Sequence, residues 1–524
     1  MTPRPQGVPV RLRRHNRPAA RRRGIPPLVF WGVVLAGLFY LVAHAAIVVG
    51  VWPVHGTAPG AGGALVRGGL TFVAWLGMLL VLRRTGYRGS WAVVALPVMI
   101  FLFARPALFH TFTDPAYQAT RETRAEANAA KAGRSRLSTI LRAYDADRQR
   151  LVFDGDPPEL PSPLREAAYE APRETVGILA RLASYGSPFL APVALLLGFW
   201  LTRRPEYLRY LREKKKIPFA ITLAVFFVLT LFFTEAGKVA GTTPWELLLP
   251  VFVLVWAAVL ADDSYNLGRV GAAFHPRRLG GMLVYGALPI VPFLLIRELG
   301  LSVVLAGTLA AMLLVGTRRG WWAGVMMAVW TVLVVAAFSL DDRSATRLAL
   351  AYDPYHDPAE MTAEEAESWA IRLHQFKLFD ANVLAGGVVG AGPGQGHGET
   401  APNAADDGYA TLFASQYGLA GGVSLVAIYL LFLLVMLGIA IRERGAFERS
   451  AVTGLALLIA IPFWMAFLGG IRVVPLTGVA AAFAGHGGAK LLASALSVGI
   501  IAAISDRRGR EMARDRQTLS GGEW

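Results

Sequence analysis

A long polar stretch, Asp341 to Asp407, separates two membrane-length apolar runs and ends in two carboxylates, Asp406 and Asp407. Upstream of them lies Gly386-Gly387-Val-Val-Gly390-Ala-Gly392-Pro-Gly394-Gln395, and Pro402 stiffens the final approach. A carboxylate held where water meets lipid can take a proton from a substrate whose head is polar and whose tail is buried. The arrangement points to chemistry on a lipid-linked molecule, with Asp407 as the base. Asp407 also fits a plainer role, a solvated end-cap of the span that follows. The glycines admit two readings as well. Without side chains their backbone N–H groups can approach an anion such as a pyrophosphate, or the stretch is a flexible loop with no ligand, since no strand precedes it as in a nucleotide loop.

Ionisable residues inside or beside apolar runs form a second group: Glu246, Arg297, Glu298, Arg472, His486 and Lys490. Burying such groups costs a few kcal/mol each on insertion scales, so they pair or line a polar cavity, unless they lie close enough to a span end to snorkel outward. Glu246, Glu298 and Lys490 are expected near the outer leaflet, on the side of Asp407, and Arg472 in the short outer loop 470–483. Together they could frame a cavity with both anchoring cations and acids. The chain has no cysteine, which removes disulfides, thiolate metal sites and cysteine nucleophiles. There is no zinc-type His pair, Gly-x-Ser-x-Gly elbow or nucleotide phosphate loop.

The elements that must position these residues are membrane helices. Of 524 residues, 54% are hydrophobic and 17% charged, and the mean hydropathy is +0.46. Apolar runs long enough to span recur near 28–51, 64–82, 91–109, 186–202, 218–234, 244–262, 281–297, 299–317, 321–339, 409–440, 450–469 and 484–504. The fold class is therefore all-α and polytopic, with twelve spans. The 409–440 run exceeds what a bilayer needs, so its start is expected to lie flat at the interface. A net charge of +16 would suit nucleic acid, but the basic residues sit in short loops between apolar runs, as the cytoplasmic-side bias requires. With the N-terminus inside, the inside segments hold Arg83, Arg84 and Arg88, then Arg203 to Lys216, Arg269 to Arg278, Arg318 and Arg319, Arg442 to Arg449, and the C-terminal arginines. The outside gap 52–63 has no Lys or Arg.

This divides the chain into a basic cytoplasmic tail (1–27), three N-terminal spans (28–110), an extracytoplasmic insert (111–180), a first part of the core (181–339), the large outer loop (340–408), a last part of the core (409–505) and a cytoplasmic tail (506–524). The insert reads as helix over Ala116–Leu151 and then turns Pro-rich; it is either a spacer or a partner-docking element. Leu28–Val42 followed by Ala43-His44-Ala45 also has the form of a signal peptide with a small-residue cleavage site.

The long loop resembles the SEDS proteins (shape, elongation, division and sporulation), the family of RodA, FtsW and SpoVE. Arg347-Leu-Ala-Leu-Ala-Tyr-Asp353-Pro354-Tyr-His-Asp357-Pro358 is similar to the family's R-L-x-x-F-x-x-P-W-x-D-P. His374-Gln375 matches Tyr-Gln, Gly386-Gly387 matches Gly-Gly at the family's spacing, and Gly390-x-Gly392-x-Gly394-Gln395 matches G-x-G-x-G-Q. Pro402 to Asp407 matches P-E-x-x-T-D, and Gln416-Tyr-Gly418 takes the place of E-E-L-G. Outside the loop, Pro244-Trp-Glu246, Glu298-Leu-Gly300, Pro475-Leu-Thr477-Gly478 and Gly487-Gly488 resemble P-S-E, D-L-G-T, P-x-T-G and the start of G-G-S-S. The resemblance covers roughly residues 180–505. The chain departs from it where the family has Lys four residues after the Glu of P-S-E, here Pro250, and where the second Ser after Gly-Gly is Lys490. Residues 28–82 add a pair of spans to a family-like core of ten.

The resemblance implies a peptidoglycan glycosyltransferase that polymerises lipid II, a disaccharide-peptide on undecaprenyl pyrophosphate, at the outer face of the bacterial cytoplasmic membrane. Asp407 would be the essential aspartate. Arg347, Gln375, Lys377, Gly390, Gly392, Arg472 and Lys490 would contact substrate, Lys377, Arg472 and Lys490 being the cations near the leaving pyrophosphate. Glu246 and Glu298 would be cavity or structural carboxylates, Glu246 without its usual Lys. A divalent cation, Mg²⁺ or Mn²⁺, could assist, and no organic cofactor is implied. Implied partners are lipid II, a class B penicillin-binding transpeptidase and other envelope proteins, with no nucleic acid. The competing readings are a flippase for a lipid-linked precursor, a non-catalytic scaffold of the cell-wall machinery, and another lipid-linked polysaccharide polymerase or ligase.

Overall fold

The computed structural model describes residues 24–55, 61–113, 178–232, 244–267, 281, 284–295, 298–317, 320–338, 376–393, 408–471, 473–474 and 478–520. Helices coincide with each of the twelve apolar runs, and no strand occurs among the described residues. By length and composition, seven helices in these residues suffice to cross a membrane. Most of the expected insert, 114–177, lies outside the described residues.

The N-terminal part comprises α1 (Pro27–His55), α2 (Ala61–Arg84) and α3 (Trp91–Thr113). Helix α1 continues through Ala43-His44-Ala45, with Ala43 and His44 buried, so the stretch with the form of a cleavage site is built into the bundle. Next come α4 (Ile178–Arg203), a short amphipathic α5 (Pro205–Glu213) and α6 (Lys216–Phe232). A 3-10 turn, Pro244–Leu247, leads into α7 (Leu249–Leu267). The 281–297 run does not form one continuous helix. It breaks into helix 284–287, a 3-10 turn at Leu288–Ile290 and α8 (Val291–Leu295), because Pro289 and Pro292 each remove a backbone donor. After α9 (Leu299–Thr317) and α10 (Gly320–Phe338) come α11 (376–386), α12 (Tyr409–Arg442), α13 (Ala446–Gly470) and α14 (Gly488–Ser520).

Helix α14 is the spine of the assembly, and α4 is its closest neighbour. A side chain at Gly198 would run into the Leu496 carbonyl, and one at Gly499 into the Leu195 carbonyl. Apolar surface alone drives little association between helices in lipid, so backbones come together where residues are small.

The described basic segments, 83–88, 203–216, 442–449 and the residues after Asp506, gather at one end of the bundle. There Asp506 of α14, fully buried, accepts from the Arg88 N–H at 2.7 Å and from Arg510 Nε at 2.8 Å, and Arg203 Nε lies 3.6 Å away. The Ser505 hydroxyl accepts from the Ser90 N–H at 2.9 Å, and Arg510 and Arg203 also donate to the Gly86 and Thr85 carbonyls. Asp506 thus ties the α2–α3 turn and the end of α4 to the last helix. Nearby, Glu443 lies 3.9 Å from Arg508. Burial pushes its carboxyl above the usual carboxylate range, and Arg508 pulls it back. Asp262, at the end of the apolar part of α7, pairs with Arg212 at 3.2 Å and with Lys215.

Candidate functional site

The opposite end is built largely from main chain. Helix α11 buries Phe376 and Phe379 and leads into the glycine-rich turn 387–393. Helix α12 is broken at Gly418, whose φ of 63° and ψ of −167° are not helical. The turn is fastened to the break by four cross-links. The N–H groups of Ala391 and Gly392 donate to the Ser415 and Gln416 carbonyls at 3.0 and 2.9 Å, and those of Leu419 and Ala420 donate to Gly387 and Val388 at 2.9 Å each. The approach is so close that a Cβ at Gly386 would overlap the Ala414 carbonyl, one at Gly390 the Gln416 carbonyl, and one at Gly418 the main chain of Val388 and Gly390.

Over the described part, 386–393, the glycines serve main-chain packing. The N–H groups of Gly387, Gly390, Ala391 and Gly392 all donate to protein carbonyls, so they do not form an open anion cradle. The stretch is no slack loop either, because glycine is what lets one backbone lie on another with φ near 88° at Gly390 and 100° at Gly392. The N–H groups of Gly390 and Gly392, two residues expected to contact substrate, donate to the Gly386 and Gln416 carbonyls inside the clamp.

The start of α12 also differs from its expected place flat at the interface. Residues from Tyr409 to Gly418 are nearly all buried. The Tyr409 hydroxyl donates to the Ala104 carbonyl of α3 at 2.9 Å, and the Gln416 amide donates to Ala107 at 3.4 Å. Phe103, Phe413 and Tyr417 close around them, with ring centres 4.6–6.1 Å apart. Polar groups that would be costly in lipid find carbonyls in α3, which draws this half-helix inside. Gly408 starts it, accepting from the N–H groups of Thr411 and Leu412. Both flanks of 394–407 are thereby anchored.

A buried ion pair lies across the same end. Lys490 Nζ of α14 stands 3.9 Å from Glu246 Oε1 in the 3-10 turn, with side chains 3% and 6% exposed. Glu246, expected to lack its cation, has one, and it comes from the last helix in place of position 250. The two departures from the family's pattern meet at one carboxylate. Between Gly478 and α14 the chain makes a buried turn in which Phe483 takes a positive φ of 61°. This is the only non-glycine in that region of backbone space among the described residues, and such strain costs about 1–3 kcal/mol.

Of the remaining expected residues, Lys377 is exposed on α11 and forms no ion pair among the described residues. Glu298 is half-buried just before α9, its N–H donating to the Phe293 carbonyl at 2.8 Å. Arg347, Gln375, Asp406, Asp407 and Arg472 lie outside the described residues. Among the described residues no three His, Asp or Glu side chains converge as metal ligands. Sequence reasoning passed over Asp506, hidden among C-terminal arginines, and Arg105, a charge inside a span that could have been read directly.

Comparison with known proteins follows this architecture. The sequence profile of the FtsW/RodA/SpoVE family, described as a cell cycle protein, matches residues 197–510. The peptidoglycan glycosyltransferase RodA of Mycobacterium tuberculosis (strain ATCC 25618 / H37Rv) is 26% identical over 231 residues, 44% of this chain and 47% of that protein. The probable peptidoglycan glycosyltransferase FtsW of Geobacter sulfurreducens (strain ATCC 51573 / DSM 12127 / PCA) is 26% identical over 328 residues, 60% of this chain and 84% of that one. The matches to the mycobacterial RodA proteins span only about half of their length. A chain from a solved peptidoglycan synthase complex superposes with a TM-score of 0.48 and 17% identity, covering 63% of this chain and 90% of that one. A profile match over more than half of the sequence, on a helical membrane bundle, makes this chain a member of the FtsW/RodA/SpoVE family of cell cycle proteins.

Proposed function

We propose that this chain is a peptidoglycan glycosyltransferase that polymerises lipid II at the outer face of the cytoplasmic membrane, with both termini in the cytoplasm. The observation that carries the proposal is the clamped end of the bundle. The turn 387–393 is bonded to the break at Gly418, and Gly408, one residue after Asp407, starts a half-helix hooked onto α3. A base works when its backbone is held still relative to the proton it takes. Family membership and the relatives named as peptidoglycan glycosyltransferases support the same reading.

In this mechanism Asp407 accepts the proton of an acceptor sugar hydroxyl as that oxygen attacks the donor's anomeric carbon. The bond to the lipid pyrophosphate breaks and the anomeric centre inverts. Base catalysis of this kind contributes about 10²–10⁴-fold. A covalent intermediate would need a second nearby carboxylate, and since neighbouring residues ordinarily point apart, a single step is favoured. A Mg²⁺ or Mn²⁺ ion would, when bound, supply charge neutralisation for the leaving pyrophosphate. The Glu246–Lys490 pair weakens the case for a non-catalytic scaffold, because the family's apparent loss at 250 is matched by a gain at 490.

The test is polymerisation of labelled lipid II by purified protein with Mg²⁺ or Mn²⁺, alone and with a class B penicillin-binding transpeptidase from the same organism. Glycan strands from the wild type and none from Asp407→Ala are expected. Equal polymer from both would remove Asp407 from catalysis.

A further inference from the structure

Arg105 is a cation inside the bundle that no described acid pairs with. It lies in α3 within the apolar span Trp91–Leu108, about 21 Å along the helix from Trp91 and toward the end that carries the clamp. Its guanidinium sits 5.6 Å from the centre of the Phe101 ring. It is half-buried, and no hydrogen bond or ion pair engages it among the described residues. Cation–π contact returns about 0.5–2 kcal/mol, less than the about 2.5–3.5 kcal/mol that an arginine costs at the centre of a spanning helix on insertion scales, and Arg105 lies between that centre and the end of the span at Leu108. The helix therefore carries a charge that its described surroundings do not neutralise.

Among the described residues, the groups in electrostatic interaction with Arg105 are Tyr40 and His44 of α1 and Tyr409 of α12. None of them is an acid. The Tyr40 and His44 rings lie against each other with centres 4.1 Å apart, tilted by 47°. Both tyrosine hydroxyls already donate, Tyr40 to Gly68 at 3.1 Å and Tyr409 to Ala104 at 2.9 Å. They fix an aromatic wall and leave the guanidinium as the donor. A planar fork of N–H groups matches phosphate oxygens two at a time. Beside this wall, α1 exposes Leu38, Leu41 and Val42 to the membrane, an apolar track for a hydrocarbon tail. Neither α1 nor Arg105 falls within residues 197–510.

We propose that Arg105, walled by Tyr40, His44 and Tyr409, is a phosphate subsite for a polyprenyl pyrophosphate lipid whose tail lies along α1. The assignment of the lipid rests on the function proposed above. It gives the extra N-terminal helices a part in holding the lipid carrier.

The full chain in nanodiscs tests this by binding, with polyprenyl pyrophosphate, the same polyprenol without phosphate, and phosphatidylglycerol as probes. Arg105→Gln should weaken the pyrophosphate lipid at least about tenfold, Arg105→Lys should weaken it less, and neither should change binding of the neutral polyprenol. Unchanged affinity in Arg105→Gln overturns the proposal. If that variant does not fold, Arg105→Lys decides, and wild-type affinity there overturns it. Equal, Arg105-dependent binding of phosphatidylglycerol overturns the polyprenyl assignment in favour of a bulk headgroup. Because binding is read without turnover, Arg105-dependent affinity in Asp407→Ala sustains the subsite even if no polymer forms, and polymer made by a chain indifferent to Arg105 sustains the enzyme without it.

Discussion

The two ends of the bundle are joined by opposite means. At the basic end, side chains do the joining. Asp506 gathers an N–H from the α2–α3 turn and the guanidiniums of Arg203 and Arg510. At the other end, backbone meets backbone through glycines, with four main-chain bonds between the 387–393 turn and the break at Gly418. Long side chains can follow small shifts of their helices. Main chain in direct contact cannot, so the glycine end holds its geometry tightly and keeps side chains free for other work. Glu246 and Lys490 belong to that second end, and their 3.9 Å separation is longer than a hydrogen bond.

Breaking the side-chain end should have the largest effect on stability. Asp506→Ala leaves Arg203 and Arg510 without their shared buried partner, a loss of about 3–5 kcal/mol, visible as a lowered Tm in detergent. Lys490→Ser removes the cation facing buried Glu246 and should cost somewhat less, about 1–3 kcal/mol, since the contact is long. Adding Pro250→Lys should restore part of that stability if the lysine has changed position around a common carboxylate, and a purely additive double variant would contradict the exchange.

Gly418→Ala sharpens the comparison from the backbone side. Gly418, at φ 63° and ψ −167°, sits in backbone space open essentially to glycine alone, which costs a residue with a Cβ about 1–3 kcal/mol, and the overlap with Val388 and Gly390 adds to it. The expected result is faster proteolysis within 376–407 and loss of polymer at nearly wild-type expression. Arg212→Ala should matter least, because its partner Asp262 is 41% exposed. Such pairs contribute about 0–1 kcal/mol, and a Tm within error of wild type checks it.

Much of the fold was legible in hydropathy and charge. Apolar runs located the helices, and the described basic loops converge on one end around Asp506, Glu443 and Asp262. The 281–297 run was harder to read, since its prolines stay hydrophobic on any scale while breaking the helix. At the site, motif order identified the family, but the glycines' task could not be read. An N–H facing a pyrophosphate and one facing the Gln416 carbonyl leave the same trace in the chain. The cation of Glu246 was sought four residues away, where helix spacing would put it, and it came from a helix more than two hundred residues later.

By itself, the amino-acid order determined a polytopic helical membrane protein, its basic side and its family, because those depend on transfer of local segments into lipid and on motifs contiguous in the chain. Tertiary structure alone decided which N–H groups were already spent, which cation met which buried acid, and that Arg105 stands beside α1. Those outcomes depend on contacts between distant segments, and the cost of an unmade polar contact in lipid is settled only where helices meet.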